Sequence, residues 1–565
     1  MEPKLKSARG HGAVDRGLIE AAQATTASQI NRRDFDGRFG RMFLDLPGAV
    51  FFHEEMISLA KDMSADMEMP QTAEDLPDSE ENFGIPAGYT YLGQFIDHDI
   101  TLDAVSLSMQ QEDVSAVENF RTPALDLDSL YGRGPDDQPY MFDDTGRLFL
   151  MGDRDLTAGA DGPPLTIDLP RFKGRAIIGD KRNDENVIVS QLHGLFIGLH
   201  NALAIADKNA SFDAVRQQVR WHYQWLVLFD YLPRIVGRPL VDALLPTIGL
   251  PPELKYFKPS PTAFMPVEFS GAAYRFGHSM VRPIYRLSDA ADIDGPAGDK
   301  GRRLVFQPPA DPAAGMGKGM GKGLNGFGEF EAALGIDWSL FFESNGRTLP
   351  GEMGMGAKRI QPAYKIDPSL VFPLTKLPEF SENDGSPKGG TAVNGLALRN
   401  IMRGMMLLLP SGQAVARAMG IEPIADDDLI VEKADAAHFT DPTGKPPLKR
   451  ITSGRPKMAG SAPLWFYVLA EARHEWRKAA QTKLSCQGAM STAEADKLID
   501  EMPVRLGSVG GRIVAETLIG LAAADPRSLL NEGAHFQPLF GSTGKQRYER
   551  FTMGDLVAAL ARDRA

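Results

Sequence analysis

The stretch GYTYLGQFIDHDITLD, residues 88–103, sets His98 between Asp97 and Asp99, directly after an aromatic and apolar run. A carboxylate beside a run destined for the interior is costly unless something pairs with it or binds it. Two carboxylates around one imidazole therefore point to something held there: a metal, a cofactor or a proton in transit. Because Asp97 and Asp99 flank His98, they face different sides, so one can turn toward a buried cofactor while the other turns away. Gln94 stands four residues before His98, one turn away if the segment is helical.

Three further stretches carry reactive residue types. In FRTPALDLDSLYG, residues 120–132, Thr122, Asp126 and Asp128 are hard oxygen donors on what reads as an extended, proline-bearing loop, where alternate side chains point the same way. Asp99, Asp126 and Asp128, with a threonine oxygen and backbone carbonyls, suit calcium, which takes roughly 6–8 oxygens at about 2.3–2.6 Å; from spacing alone a solvated acidic turn is an equal alternative. GDKRNDE, residues 179–185, places Arg182 and Glu185 three apart at a helix start, on one face. Arg182 could be a permanent charge in a pocket, and spacing alone favours a surface ion pair. VEFSGAAYRFGHSMVRPIYRL, residues 267–287, sets His278 inside a helix of apolar and small residues, just after Gly277. A mid-helix glycine costs about 1 kcal/mol against alanine, which close approach of something flat would explain; a packed core histidine is the alternative.

The elements that must position these residues read as mainly helical. Residues 187–207 place Leu192, Leu195, Phe196, Leu199 and Leu203 on one stripe, with Asn183 or Asp184 able to cap the first turn. Residues 212–232 form a second helix ended by Pro233, 269–281 a third stopped by Pro283, and 397–409 a fourth stopped by Pro410. Residues 462–480 and 511–524 make a fifth and sixth, and strand signals are few and short. The expected architecture is a loosely held arm, 1–35, and one large domain, 36–565, with long irregular connections. The glycine-rich segment 311–328 holds GKG without a following Ser or Thr and no strand precedes it, so it reads as a flexible loop and not a phosphate cradle.

Composition excludes several classes. The 43% hydrophobic and 24% charged fractions are those of a soluble globular protein. A net charge of −13 with no basic block argues against a nucleic-acid partner. Cys486 is the one cysteine, so no intrachain disulfide can form. The first residues hold no apolar signal core, and no uninterrupted apolar run approaches the ~18–20 residues of a membrane span. Compartment and oligomeric state stay open.

In order, GQFIDHD, RTPALDLDSLYG, GDKRNDE, AYRFGH and LRNIMRG resemble the motifs of the peroxidase–cyclooxygenase superfamily, the animal-type haem peroxidases, and FDYLPRIVG at 229–237 also fits. The resemblance implies a mainly α, animal haem peroxidase-like helical domain with few short strands and long loops. It implies an enzyme that reduces hydrogen peroxide and oxidises a small electron donor (a halide, thiocyanate or a phenol) through an oxidised haem. His98 would be the distal histidine, taking a proton from peroxide and returning it to the departing oxygen. Arg182 would stabilise negative charge as the O–O bond breaks, and Gln94 would hydrogen-bond in the distal pocket. His278 would ligate the iron of haem b, Asn400 would hydrogen-bond its other ring nitrogen, and Arg275 and Arg403 would lie near the propionates. Asp97 and Glu185 match two carboxylates that form ester bonds to haem methyl groups in mammalian members. Asp99, Thr122, Asp126, Asp128 and the carbonyl of Ala124 would bind calcium.

Two departures from the mammalian pattern limit what carries over. Asp128 replaces a serine, adding charge to the calcium set. Asn186 replaces a methionine that in one mammalian member bonds to haem, and asparagine cannot form that link. Three alternatives remain. A fatty-acid dioxygenase of the same superfamily needs a tyrosine three residues before the proximal histidine; here that position is Arg275, and Tyr274 is one residue off. A catalytically silent haem-binding interaction module would be marked by loss of His98 or Arg182. A non-haem hydrolase using the Asp-His-Asp cluster would leave His278 and Asn400 unexplained.

Overall fold

The computed structural model describes residues 39–64, 79–102, 119, 121–152, 168–259, 263–288, 302–306, 323–330, 334–344, 360–375, 395–436, 447–487, 490–533, 535–540 and 547–562. The arm at 1–35 lies outside these, as does most of the glycine-rich segment. The described chain is mainly α, the class the sequence implies. Its strands form only two-stranded pairs: Phe39–Gly40 parallel to Met265–Pro266, and antiparallel pairs of Glu81–Pro86 with Pro362–Tyr364, Arg171–Phe172 with Arg175–Ala176, and Ile284–Arg286 with Arg302–Leu304. One apolar core runs from Phe39 to Leu560.

Helix α1 (Gly88–Ile100) carries the opening motif through that core. Every residue in it is buried except Gln94 and Asp97. Its first turn has no side-chain cap. Backbone carbonyls do that work, Gly88 N–H donating to Phe341 at 3.1 Å and the preceding Ala87 N–H to Gln361 at 2.8 Å. At its other end Thr101 Oγ1 donates to the Asp97 carbonyl at 2.9 Å and to Asp97 Oδ1 at 3.1 Å. Gly93 lets Tyr231 lie against the helix, since a Cβ there would sit 2.7 Å from the Tyr231 hydroxyl.

Helix α2 (Val187–Ala206) is capped by Asn186, whose Oδ1 accepts from Val189 N–H at 2.8 Å. The cap is therefore neither Asn183 nor Asp184, which sit in the preceding 3-10 turn Lys181–Asp184. The expected stripe is buried, but so is most of the helix surface. By length and apolarity α2 could cross a membrane, yet 72% of that window is buried inside the protein, as in a core helix.

Pro233 does not end the next helix. Helix α3 (Phe212–Trp225) continues into a π-helical segment, Leu226–Tyr231, and then a further helix, Leu232–Val236, with proline in its first turn. Pro233 thus falls where the hydrogen-bond register changes from π to α. The wider π turn brings Asp230 inward, where it accepts from the Tyr89 hydroxyl at 2.7 Å, Arg234 Nε at 3.1 Å and Met553 N–H at 2.8 Å. Asp230 thus ties α1 to the π segment.

The expected helix at 269–281 is broken. A short helix, Val267–Gly271, stops at Ala272 (φ −139, ψ −73), and a 3-10 turn, Ala273–His278, follows. His278 ends that turn. Helix α4 (Leu396–Met406) stops before Pro410, and Arg41 donates to the Leu407 and Leu408 carbonyls at 2.6 and 3.1 Å just past its end. Helix α5 (Leu464–Ser485) runs longer than expected and braces the 3-10 turn, with Trp465 Nε1 donating to the Arg275 carbonyl at 3.1 Å. Glu471 on α5 accepts from Val509 N–H and Gly510 N–H, both at 2.9 Å, and so caps helix α6 (Ser508–Ala524) from a neighbouring element.

Gly88→Ala is expected to destabilise the fold by ~1–3 kcal/mol through overpacking. The added Cβ would press into the Phe342 ring and lie 2.6 Å from the Phe341 carbonyl oxygen. Calorimetry should show a lower melting temperature; an unchanged one would mean that the N-terminus of α1 yields freely.

Candidate functional site

His98 is 5% exposed and projects from the last turn of α1. Its Nε2 lies 3.5 Å from Glu185 Oε1, and its Nδ1 lies 2.8 Å from Asn183 Oδ1. Gln94, one turn earlier, donates from Nε2 to Glu185 and accepts from Asn186 Nδ2 at 3.2 Å. Burial pushes the Glu185 carboxyl up, but hydrogen bonds and charge from His98, Arg182 and Gln94 outweigh it and hold it below the usual range. The backbone beneath this cluster is pinned by the end of the glycine-rich segment. Gly326 N–H donates to the Glu185 carbonyl at 3.0 Å, Phe327 N–H to Asp184 at 2.7 Å, and Val187 N–H to Leu324 at 2.9 Å. Residues 323–328 are thus a packed clamp, where a flexible loop was expected.

Arg182 reaches across the end of α1. Its Nη2 donates to the carbonyls of His98 at 2.9 Å and Thr101 at 2.7 Å, filling acceptors that a helix C-terminus leaves open. The same nitrogen donates to Asp180 Oδ2 at 2.8 Å, and Arg121 donates to that oxygen as well. Burial raises the Asp180 carboxyl, but the Arg182 hydrogen bond and the charges of Arg182 and Arg121 prevail and hold it well below the ordinary carboxylate value. Arg182 is therefore a pocket charge with a buried partner, not a surface ion pair.

A cavity joins the two halves of the site. Asp97, Thr101 and Arg182 line it from the α1 side, and Gly271, Arg275 and Arg403 line it from the other. Next to Arg275 on the 3-10 turn, His278 has Nδ1 2.8 Å from the Asn400 side-chain amide of α4, and Nε2 has no hydrogen-bond partner among the described residues. Burial, followed by the charges of Arg275 and Arg403, pushes His278 down to about 3, so its imidazole is neutral. Tyr274 is turned away, stacked on Phe269 with ring centroids 4.4 Å apart.

Behind His98, Asp99, Asp126 and Asp128 bring carboxylate oxygens within 4.8 Å of one another. The segment is not extended as expected: Leu127 adopts φ +59 and folds Asp126 and Asp128 back toward Asp99. Asp99 accepts from Leu127 N–H at 3.1 Å, and Asp128 accepts from Thr122 N–H at 3.2 Å and from Arg121 Nη1 at 3.1 Å. Ala124 is buried in the same turn, its N–H donating to the Thr122 carbonyl at 2.8 Å. Burial, then the charges of Asp126 and Asp128, push the Asp99 carboxyl well up, so a cation at this point would relieve repulsion.

The structure thus gathers Gln94, His98, Arg182 and Glu185, with Asp97 and Arg182 on the cavity wall; His278 with Asn400; Arg275 with Arg403; and Asp99 with Thr122, Ala124, Asp126 and Asp128. Sequence reasoning missed Asp180, Asn183, Arg121 and His193. Asp180 and Asn183 stand inside the GDKRNDE motif, but their partners are distant in sequence and only folding brings them together.

The fold is shared with helical peroxidases and dioxygenases. Peroxidase A of Dictyostelium discoideum superposes with a TM-score of 0.52 at 14% identity, covering 95% of this chain and 96% of that one. The fatty acid alpha-dioxygenase of Oryza sativa superposes with 0.51 at 12% identity, covering 94% and 82%. The animal haem peroxidase family model matches residues 106–308, a segment that includes Thr122 to His278 but not Gln94, His98 or Asn400. Mouse thyroid peroxidase is 28% identical over 191 residues, and human thyroid peroxidase 38% over 123. These matches take in 30% and 20% of this chain, and only 20% and 12% of the relatives' own lengths. Over residues 106–308 the chain is thus similar to the animal haem peroxidases, and as a whole it shares the fold of these two solved structures.

Asp180 sets a test of this geometry. Its folded pKa lies below its unfolded one, so the stability it supplies is present above about pH 4 and is lost as pH falls further. Asp180→Asn should cost ~3–5 kcal/mol at pH 7, as expected for a broken buried pair, and markedly less at pH 2, nearer the depressed folded value. Urea unfolding at both pH values measures this; an equal loss at both would exclude a stabilising carboxylate.

Proposed function

We propose that the protein is a haem-dependent peroxidase that reduces hydrogen peroxide and oxidises a small electron donor such as a halide, thiocyanate or a phenol. The observations that carry this reading are an acid–base cluster, His98 with Gln94 and Glu185, a neutral histidine, His278, held by Asn400, and a cavity lined by their neighbours Asp97 and Arg182 on one side and Arg275 and Arg403 on the other. The residues fit haem. His278 offers an unpartnered Nε2, and a Cβ on Gly277 would meet nothing within 4 Å, so open space lies beside the ligand. Arg275 and Arg403 line the cavity where propionates would need cations.

When bound, haem supplies the redox centre that carries electrons from donor to peroxide. His278 would hold the iron through Nε2 while Asn400 orients the ring. His98 would take a proton from peroxide at Nε2 and return it to the departing oxygen. Arg182 would stabilise the negative charge on that oxygen, and Gln94 would orient Glu185 and bound peroxide. Asp97 and Glu185 are the candidates for ester links to the haem. Asp99, Thr122, Asp126, Asp128 and the Ala124 carbonyl would hold one calcium, which fixes the backbone beside His98.

The fatty-acid dioxygenase reading is less favoured. Arg275 lines the cavity wall, and a cation is costly in a lipid channel. Tyr274 is 7% exposed and packed into the core.

The purified protein should carry a haem absorption band, and His278→Ala should lose haem or change its ferric spectrum. His98→Ala and Arg182→Ala should each slow reaction with peroxide by ~10²-fold or more while keeping haem. Rapid oxygen uptake with a fatty acid and negligible donor oxidation would overturn the peroxidase reading. Metal analysis should find one calcium per chain, and Asp126→Ala should lower both calcium content and melting temperature. Native protein free of calcium would remove that assignment.

A further inference from the structure

His98 is the first member of a buried chain that continues away from the cavity. Its Nδ1 lies 2.8 Å from Asn183 Oδ1, and Asn183 Nδ2 lies 2.9 Å from Nδ1 of His193. Asn183 and His193 are both 0% exposed. His193 projects from α2 and meets Phe95 of α1 edge to face, with ring centroids 6.0 Å apart. Its Nε2 is buried with no hydrogen-bond partner among the described residues. An unsatisfied buried polar group costs about 1–3 kcal/mol. A leucine would fill the space without that cost, so packing alone gives no reason for an imidazole.

We propose that Asn183 and His193 are positioning residues that hold His98 as the tautomer with its proton on Nδ1, leaving Nε2 as the nitrogen that takes and returns a proton. This rests on the reading of His98 as the proton acceptor. The Asn183 amide lies with Oδ1 toward His98 and Nδ2 toward His193. With Oδ1 toward His98, the amide accepts from Nδ1–H whether His98 is neutral or cationic, so only Nε2 changes during proton transfer. With the amide reversed, Nδ2 would donate to His98 Nδ1 and force the resting proton onto Nε2, where it blocks the base. The contacts show the first arrangement, with Oδ1 on the His98 side and Nδ2 on the His193 side, and a neutral His193 is compatible with it. Burial drives His193 down to about 3, so it stays neutral and can present a bare Nδ1 to the Asn183 N–H. A cationic His193 would donate from Nδ1 and turn the amide round. The unpartnered Nε2–H is then the cost of an imidazole that accepts at its other nitrogen.

The test is nitrogen-15 NMR of histidine-labelled full-length protein with its haem in a diamagnetic ferrous state, His98 and His193 being assigned by substitution. The expected result is His98 protonated at Nδ1 and bare at Nε2, with His193 the reverse. A His98 proton on Nε2 overturns the proposal, and this measurement needs no variant to be stable. Kinetics give an independent reading. His193→Leu should slow reaction with peroxide by ~10-fold or more, and His193→Gln, whose side-chain oxygen can accept from Asn183, should restore most of it. A packing role predicts the opposite order, since leucine suits an apolar site better. If His193→Leu reacts like wild type while His98→Ala does not, the chain is refuted and the peroxidase reading stands. If His98→Ala also reacts like wild type, the peroxidase reading itself has failed.

Discussion

Asp180, held between Arg121 and Arg182, is the interaction on which the C-terminal turn of α1 depends. Arg182 cannot reach the His98 and Thr101 carbonyls as a lone buried cation, because an unpaired charge in the interior would cost several kcal/mol. Asp180 supplies the opposing charge, and Arg121 extends the series to Asp128 in the acidic cluster. The charges alternate from Asp128 through Arg121 and Asp180 to Arg182. Each is buried or nearly so, and each is intelligible only with its neighbours. The C-terminal turn of α1, which carries Asp97, His98 and Asp99, is fastened by this series on one side and by the acidic cluster on the other.

That constraint explains why three adjacent residues can have three different environments. Asp97 lines the cavity and accepts from Thr101. His98 faces Glu185 and Asn183. Asp99 points back to Leu127 and Ser129. A helix turns about 100° per residue, so the divergence is built into the backbone. What the fold adds is a distinct partner at each direction. The reactive triplet is stable in the interior because no two of its members compete for the same space or the same counter-charge.

The sequence makes the helices legible where burial is periodic or continuous, as in α2 and α6, because apolar spacing survives without knowledge of tertiary contacts; α1 is not among them. Gln94, His98, Arg182 and His278 also stand out in the sequence, in motifs of unusual charge within apolar surroundings. The sequence fails where backbone and tertiary contact trade places. Pro233 reads as a stop, yet it falls in the first turn of a helix that a π segment has already re-phased. The run ending at His278 reads as one helix, yet Ala272 breaks it and a tighter turn follows. Asp126 and Asp128 converge as expected, but through a left-handed Leu127 that spacing cannot reveal. The contacts of Asn183 and His193 are hidden for a different reason: Asn183 reads only as a possible helix cap and His193 as one residue of an apolar helix, and their partners include a residue 85 positions away.

The break at Ala272 also bears on reaction class. In a continuous α-helix, residues three apart share a face, and a position three before His278 would look the same way as the imidazole. In the observed 3-10 turn the repeat is three residues, so Arg275 and His278 are brought even more closely into line. Tyr274 is displaced from that line and stacks on Phe269 in the core. The geometry that aligns a side chain with His278 therefore selects a guanidinium, whose fixed charge lowers the basicity of the imidazole beside it and cannot form a radical as a phenol does. A tyrosine at 275 would occupy the position that a dioxygenase requires, and the same backbone would serve it. The distinction between the two chemistries at this position lies in the identity of one side chain and not in the fold, which is why structural likeness to a dioxygenase and to a peroxidase can be nearly equal in the same molecule.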